Sequence, residues 1–127
     1  MTGAGPTVKI SGLGGVFFRS SDPEALVRWY SDHFGISMVG DGPPWVQEAG
    51  YTVFSPFPAD TDYFGRMDQP FMLNFRVDDI ESAVEKLRAA GVRIDDERMN
   101  ESYGNFAWVY DPEDNKIELW EPIEPSA

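Results

Sequence analysis

RVDDIESAVEKLRAAGV, residues 76–92, is the stretch that decides the fold, because residues 19–36 run through the same pattern as RSSDPEALVRWYSDHFGI. Each copy leaves a strand-like run, passes an Asp-x-Glu or Asp-Ile-Glu start, enters an amphipathic helix and stops at a glycine followed by a β-branched residue. Asp22 and Asp79 stand as N-caps, where a side-chain oxygen accepts from an otherwise unpaired amide of the first turn. Glu24 and Glu81 add carboxylates at the positive helix end, and Pro23 fits a first helical position. Gly35 and Gly91 sit where a left-handed C-cap is expected. Ala25, Leu26, Trp29, Tyr30 and Phe34 recur at helical spacing on the first helix, as do Ile80, Ala83, Val84 and Leu87 on the second. The copies are offset by 57 residues at the aspartate and by 56 at the glycine, which marks a duplication.

Working outward, short strand signals flank each helix. Residues 12–19 and 71–77 lead into them. After Gly35 come strand candidates at 36–39, 45–48 and 51–55, with turns at Asp41-Gly-Pro-Pro and Ala49-Gly50. After Gly91 come 92–94, a short segment near 97–101, then 106–110 and 116–120, the last two joined by Asp111-Pro-Glu-Asp-Asn. The expected class is α+β: a single domain, 1–127, of two βαβββ modules, about 11–56 and about 71–122, joined by a linker at 57–70. That linker is irregular and carries Tyr63, Phe64 and Gly65, so it is placed to close over a site.

Composition narrows the function. One domain of 127 residues can bury a real core, and 42% hydrophobic with 25% charged residues is globular rather than disordered composition. The absence of cysteine removes disulfides, thiolate metal sites and thiol catalysis. No run reaches the roughly 18 apolar residues of a membrane span, and residues 1–9 lack the basic start and apolar stretch of a secretion signal, so a cytoplasmic address is expected. A net charge of −12 repels phosphate backbones and anionic lipid, so neither nucleic acid nor membrane is an expected partner. A neutral or cationic small molecule suits that surface, although the charge also serves solubility alone. Nine Phe, five Tyr and four Trp exceed what a core of this size needs, which points to rings lining a cavity.

The duplicated pattern resembles the vicinal oxygen chelate superfamily, the glyoxalase/bleomycin-resistance/dioxygenase family, over roughly residues 11–122. FRVDDIESAVEKLRAAGV (75–92) and YDPEDNKIELWEP (110–122) carry the resemblance most specifically. It implies two modules whose curved mixed sheet encloses a cup, with the helices outside. It also implies a homodimer, sometimes with modules paired across chains. Members with chemistry hold a divalent metal through inward residues on four strands, commonly His at the start of each module and Glu or Gln in each last strand. Aligning Arg19 with Arg76 places Gly15 and Met72 on the first pair of positions, and aligning Pro56 with Pro122 places Thr52 and Glu118 on the second. Of these, Glu118 alone is a good ligand, and one carboxylate does not outcompete hydration for a divalent cation. The expectation is no metal and no cofactor.

Strand alternation within that fold puts Ile117 and Leu119 under the helices and turns Glu118 and Trp120 into the cup. The same parity assigns Phe17, Arg19, Thr52, Phe54, Met72, Asn74, Arg76, Phe106, Trp108 and Tyr110 to the cup, with Trp45 and Gln47 as additions. Aromatic walls with few polar groups suit a flat ligand, and several rings with Glu118 would also suit a cation. The rings packing only on one another is the competing reading. Glu118 is the candidate catalytic residue, as a base or an anchor for a cationic group; a relic held by Thr52 or Asn74 is the alternative. His33, the single histidine, is expected outside the cup near the end of the first helix, beside its C-terminal dipole.

Three functions stay open: a metal-independent small-molecule-binding protein like the drug-sequestering members, an enzyme using Glu118 with or without a metal at unusual positions such as Glu48 or Glu101, and a non-catalytic partner subunit.

Overall fold

Both helices form where their caps place them. A computed structural model of the chain describes residues 8–36 and 44–123. Helix α1 (Pro23–Phe34) starts with the Asp22 carboxylate accepting from the Ala25 amide at 3.2 Å and ends at Gly35, whose φ of 69° is left-handed. Helix α2 (Ile80–Ala89) starts with Asp79 accepting from Ser82 at 3.1 Å. Gly91, one residue past its Ala90 cap, turns out of the helix at a φ of 83°.

The second module builds the sheet. Strands β1 (Leu73–Arg76), β2 (Arg93–Glu101), β3 (Gly104–Tyr110) and β4 (Lys116–Pro122) lie in the order β1-β4-β3-β2. The β1–β4 pair is parallel and the other two pairs are antiparallel, so the sheet is mixed and open. The two segments expected at 92–94 and 97–101 join into one strand, β2, across a register shift between Ile94 and Arg98.

Both helices cover one face of this sheet. Ile80, Val84 and Leu87 of α2 and Leu26 and Tyr30 of α1 pack with Ala107, Val109, Ile117 and Leu119 from the central strands. The fold is therefore α+β, as the duplication implies. Burying an aliphatic side chain of this size contributes about 1.5–3 kcal/mol, so this layer is the main source of stability. A polar clamp holds α1 in register with the second module. The buried Tyr30 hydroxyl donates to Asp111 at 2.8 Å, and Glu113 accepts from the Ser20 hydroxyl and the Ser21 amide at the start of α1. Ser20 first, then the backbone amides, hold the Glu113 carboxyl below its ordinary range.

The first module differs from expectation. Segments 12–19, 45–48 and 51–55 run without sheet pairing, and the expected strand at 36–39 and the turn at 41–44 lie largely outside the described residues. A β-strand is stable only with a ladder partner, and among the described residues these segments have none. Their apolar side chains are left in water: Phe17 is 92% and Phe54 84% exposed.

A cup face closed by a strap

Pleating sends alternate residues to the face away from the helices. There Asn74, Glu118 and Trp108 line up across β1, β4 and β3, with Arg76, Trp120 and Phe106 in the next row. Phe106, Trp108 and Trp120 form a second buried cluster with Met72, Met99 and Tyr63 packed against it. The Phe106 and Trp120 rings lie parallel, 5° apart in plane and 6.2 Å between centroids. Trp120 donates its indole N–H to the Tyr103 carbonyl at 3.2 Å. Gly104 permits this approach: a Cβ there would lie 2.2 Å from the Trp120 Nε1.

Glu118 is buried at 8% exposure in the middle of this face. Its Oε1 accepts from the Asn74 amide at 2.7 Å, and its Oε2 accepts from the Trp108 indole at 2.9 Å and from the Tyr63 hydroxyl. Three donors thus point at the carboxylate from β1, β3 and the linker. A divalent cation would need the space into which these three groups already point their N–H and O–H protons, with Glu118 as the one anionic donor there, so the residues present do not fit the superfamily's metal. Among the described residues, no group of three or more His, Cys, Asp or Glu side chains converges. The expected Asn74 contact to Glu118 is present, while Thr52 is exposed on an unpaired segment.

Tyr63 comes from the strap, residues 57–70, which is bolted across the strand ends. Arg66 donates to the Glu113 and Asp114 carbonyls at 3.1 and 2.9 Å and to the Asn115 side chain at 3.1 Å. Gln69 binds the Lys116 backbone through both its amide nitrogen and its oxygen. Lys116 returns its ammonium to the Tyr63 carbonyl at 3.0 Å and stands 5.2 Å from the Tyr63 ring and 5.4 Å from that of Trp108. Burial first, and then the bond to Glu118, push the Tyr63 phenol well above the usual phenol range, so it stays a donor.

The structure brings Met72, Asn74, Trp108, Trp120 and Glu118 together on this face. Tyr110 shares its parity but lies toward the edge, where it donates to Asp95 at 2.8 Å under the Arg93 guanidinium. Arg76 reaches the Glu48 carbonyl at 2.9 Å. The first-module candidates are elsewhere. Phe17 and Arg19 line a cleft of about 330 Å³ with Tyr30, Arg66 and Phe71, and Trp45 meets Phe75 on the helix-covered face. Thr52 and Phe54 are hydrogen-bonded to no described residue. His33 packs on Trp29 and lines a separate cleft between the helices, outside the cup as expected. The sequence placed the linker that carries Tyr63 over a site but gave that side chain no contact, and it pointed to neither Lys116 nor Met99.

A βαβββ unit with helices on one face and an aromatic cluster on the other is the arrangement of the glyoxalase class. The chain belongs to the Glyoxalase/Bleomycin resistance protein/Dioxygenase superfamily, whose family model matches residues 12–119. Its fold is similar to that of TnmS3, an antibiotic binding protein from Streptomyces sp. CB03234, at 27% identity and a TM-score of 0.62, covering 92% of this chain and 100% of that one. It is also similar to a superfamily member from Sphaerobacter thermophilus DSM 20745 (18% identity, TM-score 0.56, covering 88% and 98%). A domain from Frankia sp. EAN1pec is similar at 17% identity and a TM-score of 0.57, covering 91% and 100%. No curated protein sequence matches the chain. Among the described residues no helix is long and apolar enough to cross a membrane.

Proposed function

We propose that the chain binds a small, flat aromatic molecule in its cup without a metal. The observation that carries this reading is the Phe106–Trp108–Trp120 surface around a carboxylate whose partners are three donors of the protein itself. Apolar walls with few oriented polar groups are what a small-molecule site requires. Likeness to an antibiotic binding protein at 27% identity supports a small-molecule ligand. Of the two ligand chemistries open at first, the neutral aromatic is favoured over the cation. Glu118 already accepts on both oxygens, so a cation would have to compete with donors packed in place. Those bonds also count against Glu118 as a free catalytic base.

The functional unit we propose is a homodimer. Strand β1 is at one edge of the sheet, and the unpaired segments around Val16, Phe17, Val53 and Phe54 carry exposed apolar residues. Strands of a second copy laid on that edge would bury those residues and supply Phe17, Thr52 and Phe54, with Arg19 and Trp45, as the cup's other wall.

Thermal stabilisation of chelator-treated protein across planar neutral, planar cationic and aliphatic compounds tests the ligand class. The expected result is a concentration-dependent rise in Tm with planar neutral compounds. Silence across the planar set, or a response that appears only when a divalent metal is added, overturns the proposal.

A further inference from the structure

Two of the three donors to Glu118 are fixed by the sheet, since Asn74 lies on β1 and Trp108 on β3. The third is not. Tyr63 sits in the strap, outside every strand, inside the turn that the Gly65 amide closes on the Asp62 carbonyl and just after the one that Thr61 closes on Pro58. Its ring meets Trp108 edge to face at 6.2 Å and is covered by Phe57, nearly parallel at 5.4 Å. The niche it fills is therefore complete for a phenol: an acceptor carboxylate at one end, aromatic walls, and the Lys116 ammonium 5.2 Å from the ring centroid. A hydroxyl on another aromatic ring would find the same partners.

We propose that Tyr63 stands in the ligand's place, and that the cup takes a neutral aromatic bearing a ring hydroxyl, which exchanges for the Tyr63 side chain on Glu118. The inference rests on the small-molecule reading above and narrows its ligand class. Exchange conserves the hydrogen bond to Oε2, so it costs little there, whereas an aromatic without the hydroxyl displaces Tyr63 and leaves that oxygen with Trp108 alone. Sites built around a hydroxyl reject the analogue that lacks it for this reason. Tyr63 is then a specificity-determining residue, since its own hydroxyl sets the threshold a ligand must exceed.

The test uses the full chain with 2-naphthol and 2-methoxynaphthalene at pH 7, by isothermal titration, in wild type and Tyr63→Phe. The expected result is binding of 2-naphthol in preference to the methyl ether by about tenfold or more in wild type. Tyr63→Phe, which keeps the ring and removes the competing hydroxyl, should bind 2-naphthol about tenfold to a hundredfold more tightly, the range set by one hydrogen bond to a charged group. A carbon-13 label on the tyrosine ζ position supplies a readout that needs no variant: the Tyr63 signal of wild type should shift as 2-naphthol saturates. Unchanged or weaker 2-naphthol binding in Tyr63→Phe, or an unmoved Tyr63 signal at saturation, overturns the exchange. Equal binding of both compounds also overturns it while leaving the small-molecule reading intact. Failure of both compounds in both proteins overturns it as well, and the wider compound panel then decides the reading beneath.

Discussion

Tyr30→Phe removes one oxygen from the clamp between α1 and the β3–β4 turn and leaves the ring packing in place. The phenol donates to Asp111 Oδ2 at 2.8 Å between residues that are 6% and 3% exposed. Asp111 keeps three other donors: the Asn115 side chain at 2.7 Å on the same oxygen, and the Glu113 and Asn115 amides at 2.8 and 3.0 Å on the other. A hydrogen bond to a charged group is worth about 1.5–3 kcal/mol, and the remaining donors place this one at the lower end. The expected loss is about 1.5 kcal/mol, or about 5 °C in Tm for a domain of this size. Asp111→Ala orphans all four donors, two of them backbone amides of the turn, and should cost about 3–5 kcal/mol. Urea unfolding followed by circular dichroism on both variants and their combination gives the coupling between the two residues. A Tyr30→Phe loss below about 0.5 kcal/mol, or additive effects in the double variant, would refute the clamp as the bond that seats α1.

Glu118→Ala leaves the buried Trp108 N–H without an acceptor and should cost about 2 kcal/mol in denaturant titration, most of it recovered on replacing Trp108 by Phe as well; a neutral or stabilising change would mean that the three donors do not offset the buried charge. Gly104→Ala puts a methyl 2.2 Å from Trp120 Nε1 and 2.8 Å from the Glu121 carbonyl, so about 1–3 kcal/mol of stability and a shift in tryptophan emission are expected, and an unaltered spectrum would contradict the close approach. Tyr110 is pushed up to about 12 by burial and then by its bond to Asp95, and Tyr30 and Tyr63 are raised for the same reasons. Unfolded phenols titrate near about 10, so the unfolded chain releases protons that the native chain keeps. Stability should be complete below about pH 10 and fall from there through pH 12, less steeply in Tyr110→Phe; a urea midpoint level across that window contradicts it.

The fold was largely legible because the helices announce themselves. Asp22, Asp79, Gly35 and Gly91 are local signals whose chemistry acts within one turn, and the structure uses all four as caps or exits. Period-two alternation likewise assigned Ile117 and Leu119 to the helix side and Glu118 and Trp120 to the cup, since parity survives any tertiary context that keeps the strand. The strands of the first module were not equally secure, because alternation says which face a residue would take and not whether a ladder partner exists. Tyr63 lay beyond reach for a related reason. No period governs an irregular linker, and its docking depends on Arg66 and Gln69 finding the 113–116 backbone from more than forty residues away. The metal test on Gly15, Thr52, Met72 and Glu118 depended on side-chain chemistry at fixed positions, and the structure adds the donors that now surround Glu118.

The measurement that bears most directly on a metal-independent aromatic cup is the indole N–H spectrum of chelator-treated, nitrogen-15-labelled protein titrated with the compound that stabilises it most. The account predicts that the Trp108 and Trp120 signals move and saturate at one molecule per chain, while that of Trp29, on the helix side, holds still. Movement at Trp29 with Trp108 and Trp120 unchanged, or movement at the cup only after a divalent metal is restored, would contradict it.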